Sequence, residues 1–340
     1  MNFIQHRTGS YAVLQKNEKC IDIGAASTFI INMRRYTMKK QFIPFIMLVI
    51  TMVIWGADVI GIQVSVGTIS PSFFAFARIL AALAAAFVIH MLFNRGEKIK
   101  KIHRRELLIS GVIGMALYWY LESKAISYTS GSLYAIMLAL LPIGGLISDR
   151  LIFKHKITVK KIIGICVSII GVIIVITGAE NAEALTGTVK GFLLTIIAIL
   201  CWTVYLVASK PLFESYSVAT ALMYQMLIGV ICLAPFAVAN IPAVSDFNMG
   251  VIGLIFFNGM VCTTLAELTY GFAIRYLNLT IVTTFENLVP AISIAISYLV
   301  FKTMPTGQQL IGAVIIIAAV IMISLSKDEK IDTLNGPQSE

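Results

Sequence analysis

The chain contains ten apolar runs, and each of them is long enough to cross a lipid bilayer as a helix. A hydrocarbon core about 30 Å thick requires about 20 apolar residues in helical form. Backbone inside lipid must satisfy its own hydrogen bonds, so the runs are predicted to be helices. The predicted spans lie at about 42–63, 71–93, 106–123, 131–152, 158–178, 188–208, 217–239, 249–271, 280–301 and 307–326.

The composition excludes an ordinary water-soluble domain. Hydrophobic residues make up 58% of the 340 residues, charged residues make up 13%, and the mean hydropathy is +0.89. A soluble domain is about one quarter charged. The cysteines show neither a Cys-X-X-Cys pair nor a Cys/His spacing, so no metal site, cofactor or disulfide framework is predicted. We expect an all-α integral membrane protein.

Polar segments flank the spans at both ends of the chain. Residues 1–37 are interpreted either as a cytosolic N-terminal extension or as an over-long gene start, because Met38 directly precedes Lys39 and Lys40. Residues 327–340 are predicted to form a polar, disordered cytoplasmic tail.

The positive charges of the short connections predict the orientation. Nineteen Lys and Arg residues fall on the side of the N-terminus and three fall on the other side. Lys and Arg are enriched in cytoplasmic loops. We therefore expect a multi-pass protein of the cytoplasmic membrane with both termini in the cytoplasm.

An internal repeat relates the two halves of the chain. Residues 125–173 align without a gap on residues 273–321, and 14 of the 49 aligned pairs are identical. Trp55 of the first span and Trp202 of the sixth are related by nearly the same offset. The sequence therefore predicts two five-helix repeats, at 38–178 and 188–326.

Five spans per repeat is an odd number, so the second copy is predicted to be inverted in the membrane. The charges agree, because the connection after span 2 carries six cations while its counterpart at 240–248 carries none. Inverted repeats are the architecture of secondary transporters, in which the binding site lies near the midplane. Duplication for stability alone is the alternative.

These motifs resemble the drug/metabolite transporter superfamily, and within it a ten-helix protein of the EamA type. The resemblance covers about 40–326. It rests on Trp55-Gly56, Ser70-Pro71, Arg78, Ala125-Ile126, Tyr128-Thr129-Ser130, Leu140, Pro142, Phe153-Lys154, Gly164, Gly171, and, in the second half, Trp202, Ala273-Ile274, Tyr276, Pro290 and Gly312. It implies movement of a metabolite or drug across the cytoplasmic membrane by alternating access, often as export.

Two prolines interrupt predicted spans. Proline lacks the N–H that a helix interior requires, so Pro142 and Pro290 would free the carbonyl groups of Leu138 and Glu286. Because both repeats keep a proline here, we interpret the pair as a gating hinge that lines a cavity. A simple packing kink is the alternative.

Ionisable side chains inside the spans mark the candidate site, since each is costly in lipid unless it is paired. Asp58 and Arg78 are predicted at similar depth and are interpreted as a structural ion pair, with substrate contact as the alternative. Glu267 and Glu286 are predicted to lie together in the cytoplasmic third, where two carboxylates resist double ionisation. They are therefore candidates for proton coupling or cation binding. Separate satisfaction by Arg275, Thr283 or Thr284 is the alternative.

The remaining candidates are one acid and several aromatic residues. Glu122 is interpreted either as a residue at the mouth of the cavity or as a solvated surface pair with Lys124. Tyr118, Tyr134 and Trp202 are candidates for cavity lining, because aromatic faces suit organic cations. Interfacial belts or packing are the alternative for these rings.

Small residues predict close packing of helices. Gly164 and Gly171 share a face of span 5, and their equivalents in span 10 are Gly312 and Ala319. A homodimer contact at this face is left open. Nucleic acid is not expected as a partner, since lipid and topology account for the basic stretch 95–105.

We predict a secondary transporter, in the direction of export, for a small metabolite such as an amino acid or an organic cation. The lipid bilayer, this small-molecule substrate and coupled protons are the expected partners. A membrane-embedded enzyme is the alternative from another class, but the sequence contains none of the HExxH, GxSxG or GxxxxGK[ST] motifs. A channel or a non-transporting membrane scaffold is the third possibility.

Overall fold

The computed structural model describes residues 23–129, 134, 137–178, 188–301 and 304–326. The chain divides into two compact units, Met1–Ile43 and Pro44–Glu340. The predicted tail 327–340 lies outside the described residues, and so does the larger part of the predicted extension 1–37. Residues 23–37 of that extension are helical and continue into the first span, so the first helix begins well before the predicted residue 42.

Within the described residues, the chain is organised as ten helical passages. We name them α1 (Ile23–Thr68), α2 (Pro71–Phe93), α3 (104–128), α4 (Leu141–Leu151), α5 (Val159–Thr177), α6 (Val189–Ser215), α7 (Val218–Val238), α8 (Met249–Tyr276), α9a (Leu279–Glu286), α9b (Leu288–Phe301) and α10 (Gly307–Ser324).

The helices have the length and surface of membrane spans. Seven of the described helices are long and apolar enough to cross a bilayer by length and composition, and α1 adds a shorter apolar stretch at Phe42–Asp58. Large apolar side chains such as Leu80, Phe87 and Leu200 are exposed. Such a surface is unfavourable in water and suits lipid. The protein is therefore an all-α membrane protein.

Equivalent helices of the two halves pack side by side in opposite directions. At the start of α2, Ser70 Oγ donates to the carbonyl of Asn240 just after α7, at 2.9 Å. Near the end of α2, His90 Nδ1 lies 2.9 Å from Thr220 Oγ1 in the first turn of α7. The end of each helix thus meets the start of its counterpart, which is the inverted relation that five spans per half require.

Helices α5 and α10 form a second antiparallel pair, and small residues bring them together. A Cβ on Gly171 would lie 3.1 Å from the carbonyl oxygen of Gly312, and a Cβ on Gly312 would lie 2.8 Å from that of Gly171. The predicted small-residue face is thus occupied within the chain. Its partner is α10 of the same chain, and the possible homodimer stays a prediction.

The third helix of each half contains a stretch of π-helix at the same place. These stretches are Ser110–Tyr118 in α3 and Phe257–Leu265 in α8. Their starts are separated by 147 residues, the spacing that also relates Trp55 to Trp202 and the N-cap residues Ser70 and Ser217. A π-helix carries an extra residue per turn and often lies at functional sites.

The fourth and ninth spans are broken where a kink is predicted. Span 4 has a turn at residues 139–140, after which Pro142 occupies the first turn of α4. Span 9 is interrupted at Asn287, and Pro290 is the third residue of α9b. Proline is well tolerated in a first turn, because the N–H groups there have no partner within the helix. The two prolines therefore begin a second helical segment rather than kink a continuous one.

Candidate substrate-binding cavity

A cavity of about 680 Å³, counting the space at its opening, lies between the two halves. Helices α1 and α3 and span 4 line it from the first half, and α6 and span 9 line it from the second. The lining residues are Trp55, Asp58, Ile62, Tyr118, Trp119, Glu122, Ile126, Tyr134, Leu138, Ala139, Trp202, Glu286, Asn287, Val289 and Pro290.

The two ends of the bundle differ around this cavity. We call the end that carries the connections 94–103 and 152–158 the basic end, because these connections hold most of the loop cations. Helices α1 and α3 both run away from the basic end. Their lining residues continue from Trp55 to Ile62 and from Tyr118 to Ile126. The cavity therefore extends from the middle of the bundle toward the opposite end.

A buried charged group occupies the wall that the first half contributes. Arg78 Nη2 donates to Asp58 Oδ2 at 2.7 Å, and Arg78 Nη1 lies 3.6 Å from Glu122 Oε2. Arg78 is 1% exposed and Asp58 is 4% exposed. The guanidinium group also donates to Thr263 Oγ1 at 2.7 Å and stacks 4.0 Å from the ring centre of Trp119. One cation is thus shared between two carboxylates.

Glu122 is buried and lies inside the cavity wall. Its Oε1 accepts hydrogen bonds from the hydroxyl groups of Tyr118 at 3.2 Å and of Tyr134 at 3.5 Å. The alternative of a solvated surface pair with Lys124 is therefore wrong. The reason is that α3 runs on to Tyr128, beyond the predicted end at 123, so Glu122 lies nearly two turns inside the helix.

Glu286 terminates α9a at the break in span 9 and faces the cavity from the second half. Its Oε1 accepts a hydrogen bond from Trp202 Nε1 at 3.1 Å and a short one from the hydroxyl group of Tyr270. Both donors bind the same oxygen and fix the orientation of the carboxyl group. Neither of these two donors binds Oε2.

Glu267 lies behind the cavity wall and is fully buried. Its Oε2 accepts from the Tyr205 hydroxyl group at 2.8 Å, and Tyr205 follows Trp202 by one turn of α6. Glu267 likewise precedes Tyr270 by one turn of α8. The two acids of the second half are thus bound by one set of aromatic hydrogen-bond donors.

Arg275, Thr283 and Thr284, which the sequence offered as separate partners of Glu267 and Glu286, bind other groups. Arg275 donates to the carbonyl of Glu214, and Thr283 and Thr284 donate to backbone carbonyls within α9a. These side chains satisfy local backbone groups, because hydroxyl groups on a helix readily bond to the carbonyl one turn back.

Aromatic rings surround Trp202 at the centre of the bundle. Its ring centre lies 4.5 Å from that of Tyr118, 5.8 Å from that of Trp55 and 5.9 Å from that of Tyr270. Trp55 and Trp202 are equivalent in the two halves, and residues that touch their own counterparts lie close to the axis relating the repeats. The cavity is therefore placed on that axis.

Packing and hydrogen bonds between the halves close the basic end. The buried Asp149 of α4 accepts hydrogen bonds from the backbone N–H groups of Leu279 at 3.0 Å and Thr280 at 2.7 Å, at the start of α9a. Within the second half, Lys210 of α6 donates at the same end to the carbonyl groups of Ile274 at 2.6 Å and Leu277 at 2.7 Å.

Glu97, in the connection after α2, adds a third contact at the basic end. It accepts from the backbone N–H of Ser217 at 3.1 Å and also from the Ser217 hydroxyl group. Partial burial favours the neutral acid, but these hydrogen bonds outweigh it and hold the pKa of Glu97 below its usual value.

Most of the residues predicted for the site come together. Glu286, Glu122, Tyr118, Tyr134, Trp202 and Pro290 line the cavity, whereas Pro142 and Glu267 do not. Trp119 and Asn287 also line it and were not singled out in the sequence. The arginine over the Trp119 ring appears only in three dimensions, whereas the break at Asn287 lies in the span in which the sequence predicts a kink from Pro290. Among the described residues, no cluster of three or more His, Cys, Asp or Glu side chains could hold a metal ion.

The chain matches the EamA-like transporter family twice, over residues 42–177 and 189–325. It therefore belongs to this family of membrane transporters, in the drug/metabolite transporter superfamily.

Similar proteins carry transporter names. The uncharacterized transporter YyaM of Bacillus subtilis is 28% identical over 296 residues, which cover 84% of this chain and 94% of that protein. A probable terminal-alkyne amino-acid exporter of Streptantibioticus cattleyicolor is 20% identical over 278 residues, covering 82% and 92%. One crystal structure of a protein superposes with a TM-score of 0.68 at 14% identity, over 83% of this chain and 97% of the other, a likeness in fold.

Proposed function

We propose that this transporter is a secondary carrier that moves a small metabolite, such as an amino acid or an organic cation, by alternating access. The observation that carries this proposal is the cavity between two antiparallel halves, which extends toward one end while the other end is closed. A carrier requires such a site, reached from one side at a time.

The distribution of charge supports an orientation in the cytoplasmic membrane. Lys and Arg concentrate in the connections of the basic end, and such loops are cytoplasmic in most membrane proteins. The proposal accordingly places both termini in the cytoplasm and the mouth of the cavity on the external side.

Opening toward the cytoplasm would require contacts at the basic end to separate. Asp149 joins α4 of the first half to α9a of the second, and Glu97 of the connection after α2 joins Ser217 at the start of α7. The breaks at residues 139–140 and at Asn287 lie next to the cavity, where each span could bend. We propose these two breaks, with Pro142 and Pro290, as the hinges.

Proton coupling is proposed for the acids of the second half. Four carboxyl groups (those of Asp58, Glu122, Glu267 and Glu286) lie in or behind the cavity wall, and Arg78 alone among the described cations neutralises any of them. An acid in an apolar site that exchanges a proton can couple substrate movement to a proton gradient. Export is the proposed direction. One relative whose name specifies a substrate is named an exporter.

The proposal also assigns no enzymatic reaction to the chain. Family membership and the named relatives support transport. The side chains of the cavity are carboxylates held by aromatic donors, without a paired nucleophile and base among the described lining residues.

A reversible crosslink at the basic end tests alternating access. In a background in which the native cysteines are serine, Asp149→Cys and Thr280→Cys are combined, since their side chains are in contact. Counterflow of radiolabelled 2-phenylethylamine and of phenylalanine is measured in proteoliposomes. Oxidation is expected to abolish the saturable exchange, and reduction is expected to restore it.

The two single-cysteine variants are the matched controls, because they lack the crosslink. Exchange that continues at the full rate in the crosslinked protein would contradict alternating access. Flux of both compounds that is linear in concentration and lacks counterflow would favour a channel.

A further inference from the structure

The polar atoms of the cavity are unevenly divided between acceptors and donors. Asp58 Oδ1 and Glu122 Oε2 are buried and have no hydrogen-bond partner within the described part of the chain. Glu286 Oε2 accepts neither of the hydrogen bonds that this side chain receives. The site therefore has an excess of carboxylate oxygens over hydrogen-bond donors, and of these oxygens Glu122 Oε2 lies 3.6 Å from Arg78 Nη1.

The donors of the cavity wall are almost all engaged. The hydroxyl groups of Tyr118 and Tyr134 donate to Glu122, and Trp202 Nε1 donates to Glu286. Asn287 donates its amide to Ser168. The exception is Trp119 Nε1, which is buried without a partner and can donate one neutral hydrogen bond.

The nearby cation is not available to a ligand. Arg78 does not line the cavity and lies between Asp58 and Glu122, with its guanidinium carbon 4.0 Å from the ring centre of Trp119. Its Nη1 makes no hydrogen bond but faces Glu122 Oε2 at 3.6 Å, so its charge is already compensated by the protein. A ligand carboxylate would have to approach three protein carboxylates with a single neutral donor to receive it. Such an approach is strongly unfavourable in a low dielectric.

We propose that the cavity binds an organic monocation, namely an ammonium group attached to an apolar body, and excludes amino acids and organic anions. An ammonium group supplies three donors for carboxylate oxygens that receive no hydrogen bond from the protein. Tryptophan and tyrosine faces next to Glu286 attract a cation through their π-electrons. Ile62, Ile126, Leu138 and Val289 offer an apolar surface for the body of the ligand.

This inference rests on the proposed function and narrows its substrate class. An oxygen on the body of the ligand, such as a hydroxyl group, could accept from Trp119 Nε1. A site for a zwitterion must place a positive group for the ligand carboxylate next to a negative group for the ligand ammonium. This cavity therefore differs in chemistry from such a site.

The test compares three compounds that share one aromatic body and differ in charge. They are 2-phenylethylamine (a cation), phenylalanine (a zwitterion) and 3-phenylpropionate (an anion). All three tryptophans of the chain line the cavity, so intrinsic fluorescence of the purified protein in lipid nanodiscs reports binding directly. The expected result is saturable binding of the amine at neutral pH, at least about tenfold tighter than that of the other two compounds.

Variants assign this binding to the carboxylates. Glu286→Gln keeps the size of the side chain and removes its charge, and it is expected to weaken amine binding about tenfold or more. Glu214→Gln is the matched control, because Glu214 is an exposed residue at the far end of α6. The comparison of the three compounds on the unaltered protein does not depend on how well a variant folds.

The outcomes separate this inference from the proposed function. Phenylalanine binding as tight as the amine, or no amine binding at all, overturns the inference. Saturable exchange of phenylalanine in proteoliposomes would then leave the carrier function intact. Tight amine binding that is lost in Glu286→Gln supports the cation site, whether or not the amine is exchanged across the membrane. Amine binding without any exchange of the amine would contradict the carrier function.

Discussion

The two halves of the protein share a backbone plan but differ in charge at equivalent positions. With a spacing of 147 residues, Arg78 of α2 corresponds to Gln225 of α7, and Asp58 of α1 corresponds to Tyr205 of α6. Arg78 binds Asp58 and lies beside Glu122, whereas Gln225 donates neutral hydrogen bonds to Ser110 and Ser209. An inverted duplication therefore fixes where polar side chains meet, but not which charge they carry.

This difference makes the cavity asymmetric. The first half contributes a cation together with two carboxylates, while the second contributes Glu286 and Glu267, which are held by aromatic donors alone. Counted as ionised groups, one cation and two carboxylates leave the first half with a smaller excess of negative charge than the two carboxylates of the second half, which have no cation beside them. The selectivity of the cavity should accordingly depend more on the second half, and its stability more on the first.

Replacing Arg78 by glutamine, the residue at the equivalent position of the second half, should lower the stability of the protein more than any other change considered. Arg78→Gln leaves Asp58 and Glu122 buried without a cation, and breaking a buried ion pair from one side costs about 3–5 kcal/mol. The free energy of unfolding in detergent, followed by helical circular dichroism, measures the loss. Adding Asp58→Asn should recover a large part of it. Equal stability of Arg78→Gln and the unaltered protein would show that the pair is not structural.

The corresponding change in the second half should be milder. Gln225→Leu removes two neutral hydrogen bonds and leaves no buried charge, so a loss of about 1–2 kcal/mol is expected in the same unfolding assay. Gln→Leu nearly preserves volume, which limits any cavity effect. A loss of unfolding free energy in Gln225→Leu as large as that in Arg78→Gln would contradict the claim that the two halves differ in how their buried polar groups stabilise the protein.

The two equivalent tryptophans offer a finer comparison. Trp202→Phe removes the donor to Glu286, whereas Trp55→Phe removes a donor to the backbone carbonyl of Cys262. Both variants keep an aromatic ring. Amine binding, followed by the fluorescence of the remaining tryptophans, should weaken about fivefold in Trp202→Phe and less in Trp55→Phe. Weaker amine binding in Trp55→Phe than in Trp202→Phe would indicate that the ligand binds to the first half rather than to Glu286.

The smallest effect concerns the serines that begin α2 and α7. Glu97 binds Ser217 at the basic end, while Ser70 at the opposite end binds a backbone carbonyl. Because hydrogen bonding lowers the pKa of Glu97, the ionised carboxylate stabilises the folded protein. This stabilisation is complete above the usual pKa of Glu and is lost as the pH falls through the lowered pKa.

Thermal denaturation of Glu97→Gln and of Ser70→Ala over a range of pH measures this difference. The gap in melting temperature between Glu97→Gln and the unaltered protein should narrow as the medium becomes acidic. The gap for Ser70→Ala should not change with pH. A gap for Glu97→Gln that stays constant would mean that the carboxylate form contributes nothing.

The sequence predicts the repeat, the helical class and the acids of the cavity wall, because lipid forces apolar runs into helices and leaves few polar residues to explain. It does not predict the π-helical stretches at Ser110–Tyr118 and Phe257–Leu265, since an extra residue per turn leaves no mark in an apolar run. It also misplaces Glu122, because span ends near charged residues are uncertain by more than a turn. Asp149 shows its role only when α4 meets α9a.

The most direct test of the shared chamber uses a cysteine in its wall. Leu138→Cys is combined with Asp149→Cys and Thr280→Cys in a protein whose native cysteines are serine. The protein is placed in oriented proteoliposomes and exposed to a membrane-impermeant maleimide from either side, and reaction at residue 138 is read by peptide mass spectrometry. With α4 and α9a held together at the basic end by a crosslink through positions 149 and 280, reaction is expected only from the opposite end. In the reduced protein it is expected from both sides. Labelling from neither side, or from the basic end of the crosslinked protein, would contradict a chamber that opens to one side at a time.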